Sequence, residues 1–484
     1  MKCRSLDVRQ RATNPIMSAF VLLLWGFAPA VTAAPQVQVL EGDYIDQLSA
    51  DYRQSCCGRP RLAERLAQLG KQKKATVDQR ILFASQDGSW LFQSFVNNGL
   101  FKVISAYQPH HPKAIVLKKG VMSLGQLQQA LQQSEILSEQ NGEYVLSYPL
   151  IIESGAALRV DSPLKLRAEA GAAIINLGTL VVQNTEMTGV GQHPAFRPFV
   201  IAWQGSETYI EHSHIRNLGY DAYLSGGITV ARHSSTDTGS RLDTWVEVAN
   251  STFENMTSGL VIGHAQGMLI NNQFSAIKAR SIDISQSELR MEDNVVQGGS
   301  LDGIRVSSGK TVQLIRNKVT GVSGVGVRIQ GDLNSGLVFG NQIIDNHGHG
   351  LQVDRSAGQS NSPTGVKIDG NVIAHNDSSG VVLNCPDLCE LTRNIFIANR
   401  QYPVLLDNAD TPAAGSTVIV RNQFHKTPGA FLRSQNAFRL IWGHNDLAFQ
   451  VGLHTAFLGD IQSVQGMILE HTLKNKRIVS IEAQ

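Results

Sequence analysis

The chain of 484 residues is poor in charge, in aromatics and in proline. Only 17% of its residues are charged, 42 basic against 40 acidic, for a formal charge of +2. That balance offers no basic stripe of the kind nucleic-acid binders carry. With 42% hydrophobic residues the chain is too apolar to be disordered. Aromatics make up 6%, and 15 prolines stand against 44 glycines. Many glycines with few prolines point to tight turns rather than to collagen or a linker. No P-loop, dinucleotide fingerprint or EF-hand loop occurs, so neither a cofactor nor a metal is expected.

Long apolar runs are equally scarce. The one present, Ala19 to Phe27, follows a basic start of Lys2, Arg4, Arg9 and Arg11. Val31, Thr32 and Ala33 then supply small residues, which predicts a secretory signal over 1–33 cleaved after Ala33. The run falls short of the ~20 residues a membrane span needs. The remaining chain would be exported and soluble, with a formal charge of −1. Cys56, Cys57, Cys385 and Cys389 would remain in it, in a compartment that permits disulfides. Four cysteines allow three pairings, and Cys385 with Cys389 could close a small loop. A disulfide or two buried thiols fits these residues better than zinc, since no Cys or His pair has zinc-finger spacing.

What the sequence does contain is a repeat. Asn250, Asn272, Asn294, Asn317, Asn341, Asn371, Asn394 and Asn422 each open a short apolar stretch, spaced 22 to 30 residues apart. A second column follows nine residues after each of the first six. It comprises the four-residue stretches that start at Gly259, Ser281, Gly303, Gly326, Gly350 and Gly380, such as Gly303, Ile304, Arg305 and Val306. Upstream, Asn184 and Gly227 fit the same columns. Two in-phase columns of this period mark a solenoid. The apolar stretches are three to five residues long, alternating and rich in Val and Ile, which is strand patterning. Strands repeating in one direction stack in parallel about 4.8 Å apart, so a parallel β-helix is predicted. The asparagines are read as a turn ladder, tolerant of left-handed backbone and bonded to their copies above and below.

Residues 34–135 lack the period. Leu62 to Gln72 and Leu124 to Leu137 have helical spacing, so a mostly helical, mixed α/β region is expected to cap one end of a solenoid over 136–470, with a tail at 471–484. Lengthened intervals imply insertions at Ser234–Asp243 and Arg355–Thr364, rich in Ser, Gly, Thr and Asp, that would line a binding face.

One stretch is more specific than the repeat. Phe196, Arg197, Pro198 and Phe199, then Trp203 through Ile210, then Leu218, Gly219 and Tyr220, then Gly227 to Val230, resemble in order the mannuronan C5-epimerases of the bacterial periplasm. The resemblance runs from about residue 143 to 400. It implies a right-handed β-helix, a periplasmic location and an anionic polysaccharide, a polyuronate, lying across the coils. It also implies conversion of D-mannuronate to L-guluronate within the polymer, and other exopolysaccharide secretion proteins as partners. Such chemistry needs a base for the C5 proton, an acid on the opposite face and a cation against the carboxylate. Family members carry Asp-Pro-His-Asp at a strand end, with His as base and an Arg one coil later. In register those positions fall here on Asp283, Ile284, Ser285 and Gln286, with Ser308 at the Arg position. An unassisted serine is a poor base.

The third residue of each second-column strand points outward, giving Thr229, Val261, Asp283, Arg305, Arg328 and Gln352 on one face. Asp283 is expected to pair Arg305, leaving Arg328 for a substrate carboxylate, to which a guanidinium fork is suited. Asp283 and His264 are the candidate catalytic residues; Arg305, Arg328, Tyr220 and Gln286 are the candidate substrate-binding residues. His347, His349 and His375 are read first as turn or packing histidines, and His212 and His214, beside the stretch from Phe196 to Phe199, are the next choice after His264. Three functions stay open: an epimerase with a relocated base, a polyuronate lyase, and a non-catalytic protein that binds and guides polymer.

Overall fold

The computed structural model describes residues 35–40, 57–81, 104, 106–108, 113–162, 164–190, 196–221, 224–231, 244–354, 365–385, 388–407, 416–436, 439–449 and 455–482. The expected signal segment 1–33 and both expected insertions lie outside this set.

The chain coils through three short strands per turn, and each strand pairs in parallel with its counterpart on the next turn. Ile228–Ala231, Leu260–Gly263, Ile282–Glu292, Ile304–Ile315 and Val327–Phe339 succeed one another in the first stack. Thr244–Ala249 and Ala265–Ile270 lead into the far halves of the same long strands in the second stack. Thr252–Glu254, Gln273–Ser275, Val295–Gln297 and Lys318–Thr320 belong to the third. Alternation sets which side chain enters the cylinder: Ile282 and Ile284 are buried, while Asp283 and Ser285 between and beyond them are only half-buried. The inward side chains form one continuous core, in which Phe253 stacks on Phe274 at 4.8 Å and Phe396 on Phe424 at 5.0 Å. Fully burying each ring contributes about 2–3 kcal/mol.

The asparagine ladder is present and buried. Each Nδ2 donates to the Oδ1 one turn on, from Asn272 to Asn294 (2.9 Å), to Asn317 (2.9 Å), to Asn341 (3.1 Å), to Asn371, Asn394, Asn422 and Asn445. Two details differ from the sequence reading. Asn250 and Asn184 stand one residue outside the ladder, whose earlier rungs are Thr185, Ser213 and Ser251. The left-handed residue is the one before the ladder position: Asn250, Asn271, Asp293 and Arg316 have φ between 51° and 56°. The ladder side chain instead satisfies inward-facing backbone, as when Asn294 Nδ2 donates to Leu269 O at 2.8 Å.

The ends are closed. Strand Lys113–Lys118 already pairs with Leu150–Ile152, and Gly120–Ser123 with Ala156–Val160, so coiling starts before residue 136. Helix α1 (Leu62–Leu69) packs outside on Tyr209 and Trp245. Helix α2 (Leu124–Leu131) starts at a capping box of Ser123 and Gln126 and buries Leu124, Leu127 and Leu131 in the main core. The N-terminal region is therefore as much strand as helix. At the other end Ile478–Glu482, read as tail, forms a strand antiparallel to Arg439–Gly443 and to Gln36–Leu40. Both closures cover an otherwise open sheet edge. Cys385 and Cys389 form a buried disulfide.

Candidate functional site

The first stack carries an outward column with one residue per rung. Backbone register aligns Val116, Ile151, Ile175, Ile201, Thr229, Val261, Asp283, Arg305, Arg328 and Gln352. Its early rungs are apolar and covered by Ile104, Phe196 and Phe199. Its middle rungs turn charged where that cover stops. Tyr220 belongs to the cover: its ring lies 5.1 Å from Phe196 and packs on the cluster that contains Ile201.

The charged rungs form a zigzag of ion pairs. Asp283 Oδ1 lies 3.3 Å from Arg305 Nε, and Asp283 Oδ2 lies 3.6 Å from Arg280 Nη1. Arg305 Nε also donates to Ser307 Oγ at 2.8 Å. Arg328, expected to be left for a ligand, is paired instead. Its Nε donates to Asp302 Oδ2 at 3.0 Å, and its Nη1 lies 3.4 Å from Asp354 Oδ2. Asp302 sits two residues before its strand, at the turn, and was invisible to a reading of the alternating column. Its Oδ1 accepts from the Val325 N–H at 3.0 Å, which fixes it under Arg328. Arg280, Asp302 and Asp354 thus belong to the site although the column did not contain them. The signal that marks them is their own offset, two residues before the strand for Arg280 and Asp302, and two beyond Gln352 for Asp354.

Burial pushes the Asp283 carboxyl above the usual carboxylate range, and Asp302 adds to this, although Arg305 and Arg280 oppose it. The arginine contacts are long, so desolvation outweighs them. His349 lies two residues before the strand that carries Gln352. Burial and the nearby Arg328 hold its pKa below the ordinary value. Its Nδ1 accepts the Ser379 N–H at 3.1 Å, so the neutral ring carries its proton on Nε2. His349 is therefore built to donate a hydrogen bond, not to take up a proton.

His264 and Gln286 occupy the corner where each coil leaves this face. Both are left-handed, with φ of 52° and 46°, as is Ser308 at 59°, and Gly331 follows at 73°. His264 hands its backbone N–H to Ser285 O at 3.1 Å. The corner geometry accounts for these positions, since His is among the residues that tolerate this backbone. Ser285 is half-buried on the outward side, two residues beyond Asp283.

Coiling of this kind defines the class. The description "Right handed beta helix region" matches residues 240–424. Over 335 residues the chain is 27% identical to a mannuronan C5-epimerase of Pseudomonas aeruginosa, covering 60% of each. It is 23% identical to the corresponding protein of Pseudomonas putida, covering 59% of this chain and 62% of that one. The chain thus spans about three-fifths of the length of these curated relatives. The crystal structure of the periplasmic alginate epimerase AlgG superposes with a TM-score of 0.60 at 19% identity, over 82% of this chain and 97% of that one. Within the β-helix class, the chain resembles the mannuronan C5-epimerases in more than their coil.

Proposed function

We propose that the protein acts on an acidic polysaccharide, an alginate-like polyuronate, laid along the Asp283–Arg305–Arg328 column. The work takes place in the periplasm, reached through the signal at 1–33, during polymer synthesis and export alongside other secretion proteins. The observation that carries this reading is the run of guanidiniums one rung apart on the outward face, beyond the apolar cover seen among the described residues. A polymer with one carboxylate per sugar presents anions at a similar period.

In this reading the chemistry is C5 epimerisation with Asp283 as the proton acceptor. The family's His falls on Ser285 and its Arg on Ser308, so the proton transfer has moved to the neighbouring carboxylate. Asp283, raised in pKa by burial, takes the C5 proton in its ionised form. The electron pair moves onto the substrate carboxylate, whose charge Arg305 faces. A solvent proton returned to the opposite face gives the C5 epimer with no net oxidation. A second reading is a non-catalytic guide. The serines that stand at the family's His and Arg positions, Ser285 and Ser308, favour it, because neither is a base or a cation there.

Incubation with polymannuronate in deuterated water separates the readings. Deuterium at C5 without new chain ends, lost in Asp283→Asn, is the expected result. Unsaturated chain ends would make the protein a lyase, and polymer binding with neither signal would make it a guide. Absence of any polymer binding overturns the proposal.

A further inference from the structure

The outward column does not end at Gln352. It continues through Val382 and Leu405 to Arg433, again one residue per rung. Arg433 differs from the guanidiniums around Asp283. Arg280, Arg305 and Arg328 each lie within ion-pair distance of an aspartate. Among the described residues no carboxylate pairs with Arg433. Its partner is Tyr402: the guanidinium lies 5.7 Å from the ring centroid, and Nη1 donates to the phenol oxygen at 3.3 Å. Both side chains are half-buried. The ring thus orients the guanidinium and leaves the rest of its fork without an anion among the described residues.

We propose that Tyr402 and Arg433 form a distal subsite for one uronate of an acidic polysaccharide, four rungs and roughly 19 Å from Arg328. The carboxylate of that sugar takes the free donors of Arg433, and its ring lies beside Tyr402. A partly buried guanidinium with no counterion among the described residues can receive an anion, and its planar fork suits a carboxylate. Val382 and Leu405, the rungs between, are apolar, so the intervening sugars find no ionic partner there. The column then grips polymer at two separated points. Two linked contacts gain affinity only when one chain spans both, which makes chain length the signature. An extended polyuronate advances by about one rung per sugar, so roughly five sugars bridge Arg328 and Arg433.

This inference rests on the polyuronate reading above, and the test distinguishes their failures. Calorimetry on the full chain compares a mannuronate trimer, a mannuronate octamer and a neutral mannose octamer. The mannuronate octamer is expected to bind about tenfold more tightly than the trimer, and the neutral octamer more weakly than either. Arg433→Gln and Tyr402→Ala are each expected to bring the octamer down about tenfold and leave the trimer unchanged. Equal loss for trimer and octamer, or no loss for the octamer, overturns the subsite while leaving the polyuronate reading in place. Failure of both mannuronate oligomers to bind the unaltered chain overturns both.

Discussion

Arg328 and Asp302, 26 residues apart in sequence, meet at 3.0 Å across adjacent rungs. Asp302 thereby offsets the charge that Arg328 would otherwise present to an anion. Asp302→Asn removes that charge and keeps an oxygen for the Val325 N–H. Polyuronate affinity at low salt is expected to rise about three- to tenfold, on the order of 1 kcal/mol, with a steeper salt dependence. Titration of one defined oligomer at two salt concentrations checks it. Unchanged affinity would mean that Arg328 does not meet the polymer.

The ladder asparagines serve the backbone, and Asn317 shows the cost of losing one. Its Oδ1 accepts both the backbone N–H and the side-chain Nδ2 of Asn294, while its Nδ2 donates to Met291 O at 3.0 Å. Asn317→Ala strands these groups in the core. A loss of about 3–5 kcal/mol is expected in chemical denaturation. A loss below about 1 kcal/mol would show that the ladder is not a principal support of the coil.

Glu390 is buried beside Lys367, with 3.8 Å between Nζ and Oε2. Burial raises its pKa from 4.5 to about 7, against the pull of Lys367. Because the folded state holds this proton more tightly than the unfolded chain, stability is fully present below about pH 4.5. It falls as pH rises toward 7 and levels off above that. The melting temperature should drop across this window, and Glu390→Gln should flatten the slope, whatever its effect on absolute stability. An equal slope in the variant would assign the pH dependence to other groups.

How much of this was legible in the sequence differs residue by residue. The strands were readable because Ile282, Asp283 and Ile284 alternate and the same alternation returns one turn later at Ile304, Arg305 and Val306. The column from Thr229 to Gln352 follows from that period alone. The ladder was misplaced by one at Asn250 because Ser251 fills the same role with a hydroxyl, and a reading by residue type follows the amide. Asp302 and Arg280 escaped because turn residues obey no alternation; only coordinates bring them over the next rung. Tyr220 is expected from the coiling to approach the chemistry from an earlier coil, whereas its ring packs on Phe196 as part of the cover. The pairing of Gln36–Leu40 with Ile478–Glu482 joins the first and last described strands and leaves no periodic trace.

His264 tests whether the corner is structural or chemical. Its φ of 52° is a backbone that costs a residue with a Cβ on the order of 1 kcal/mol, and Gly331 occupies the equivalent corner at 73° without that cost. His264→Gly should therefore fold at least as stably as the parent, with a gain of up to about 1 kcal/mol against the added freedom of the unfolded chain. In the deuterium assay it should keep its full rate, because Asp283 lies on the strand of the following rung and carries the proton in the mechanism proposed above. A variant that folds normally, binds polymer normally and no longer exchanges the C5 proton would return the catalytic role to His264 and remove it from Asp283.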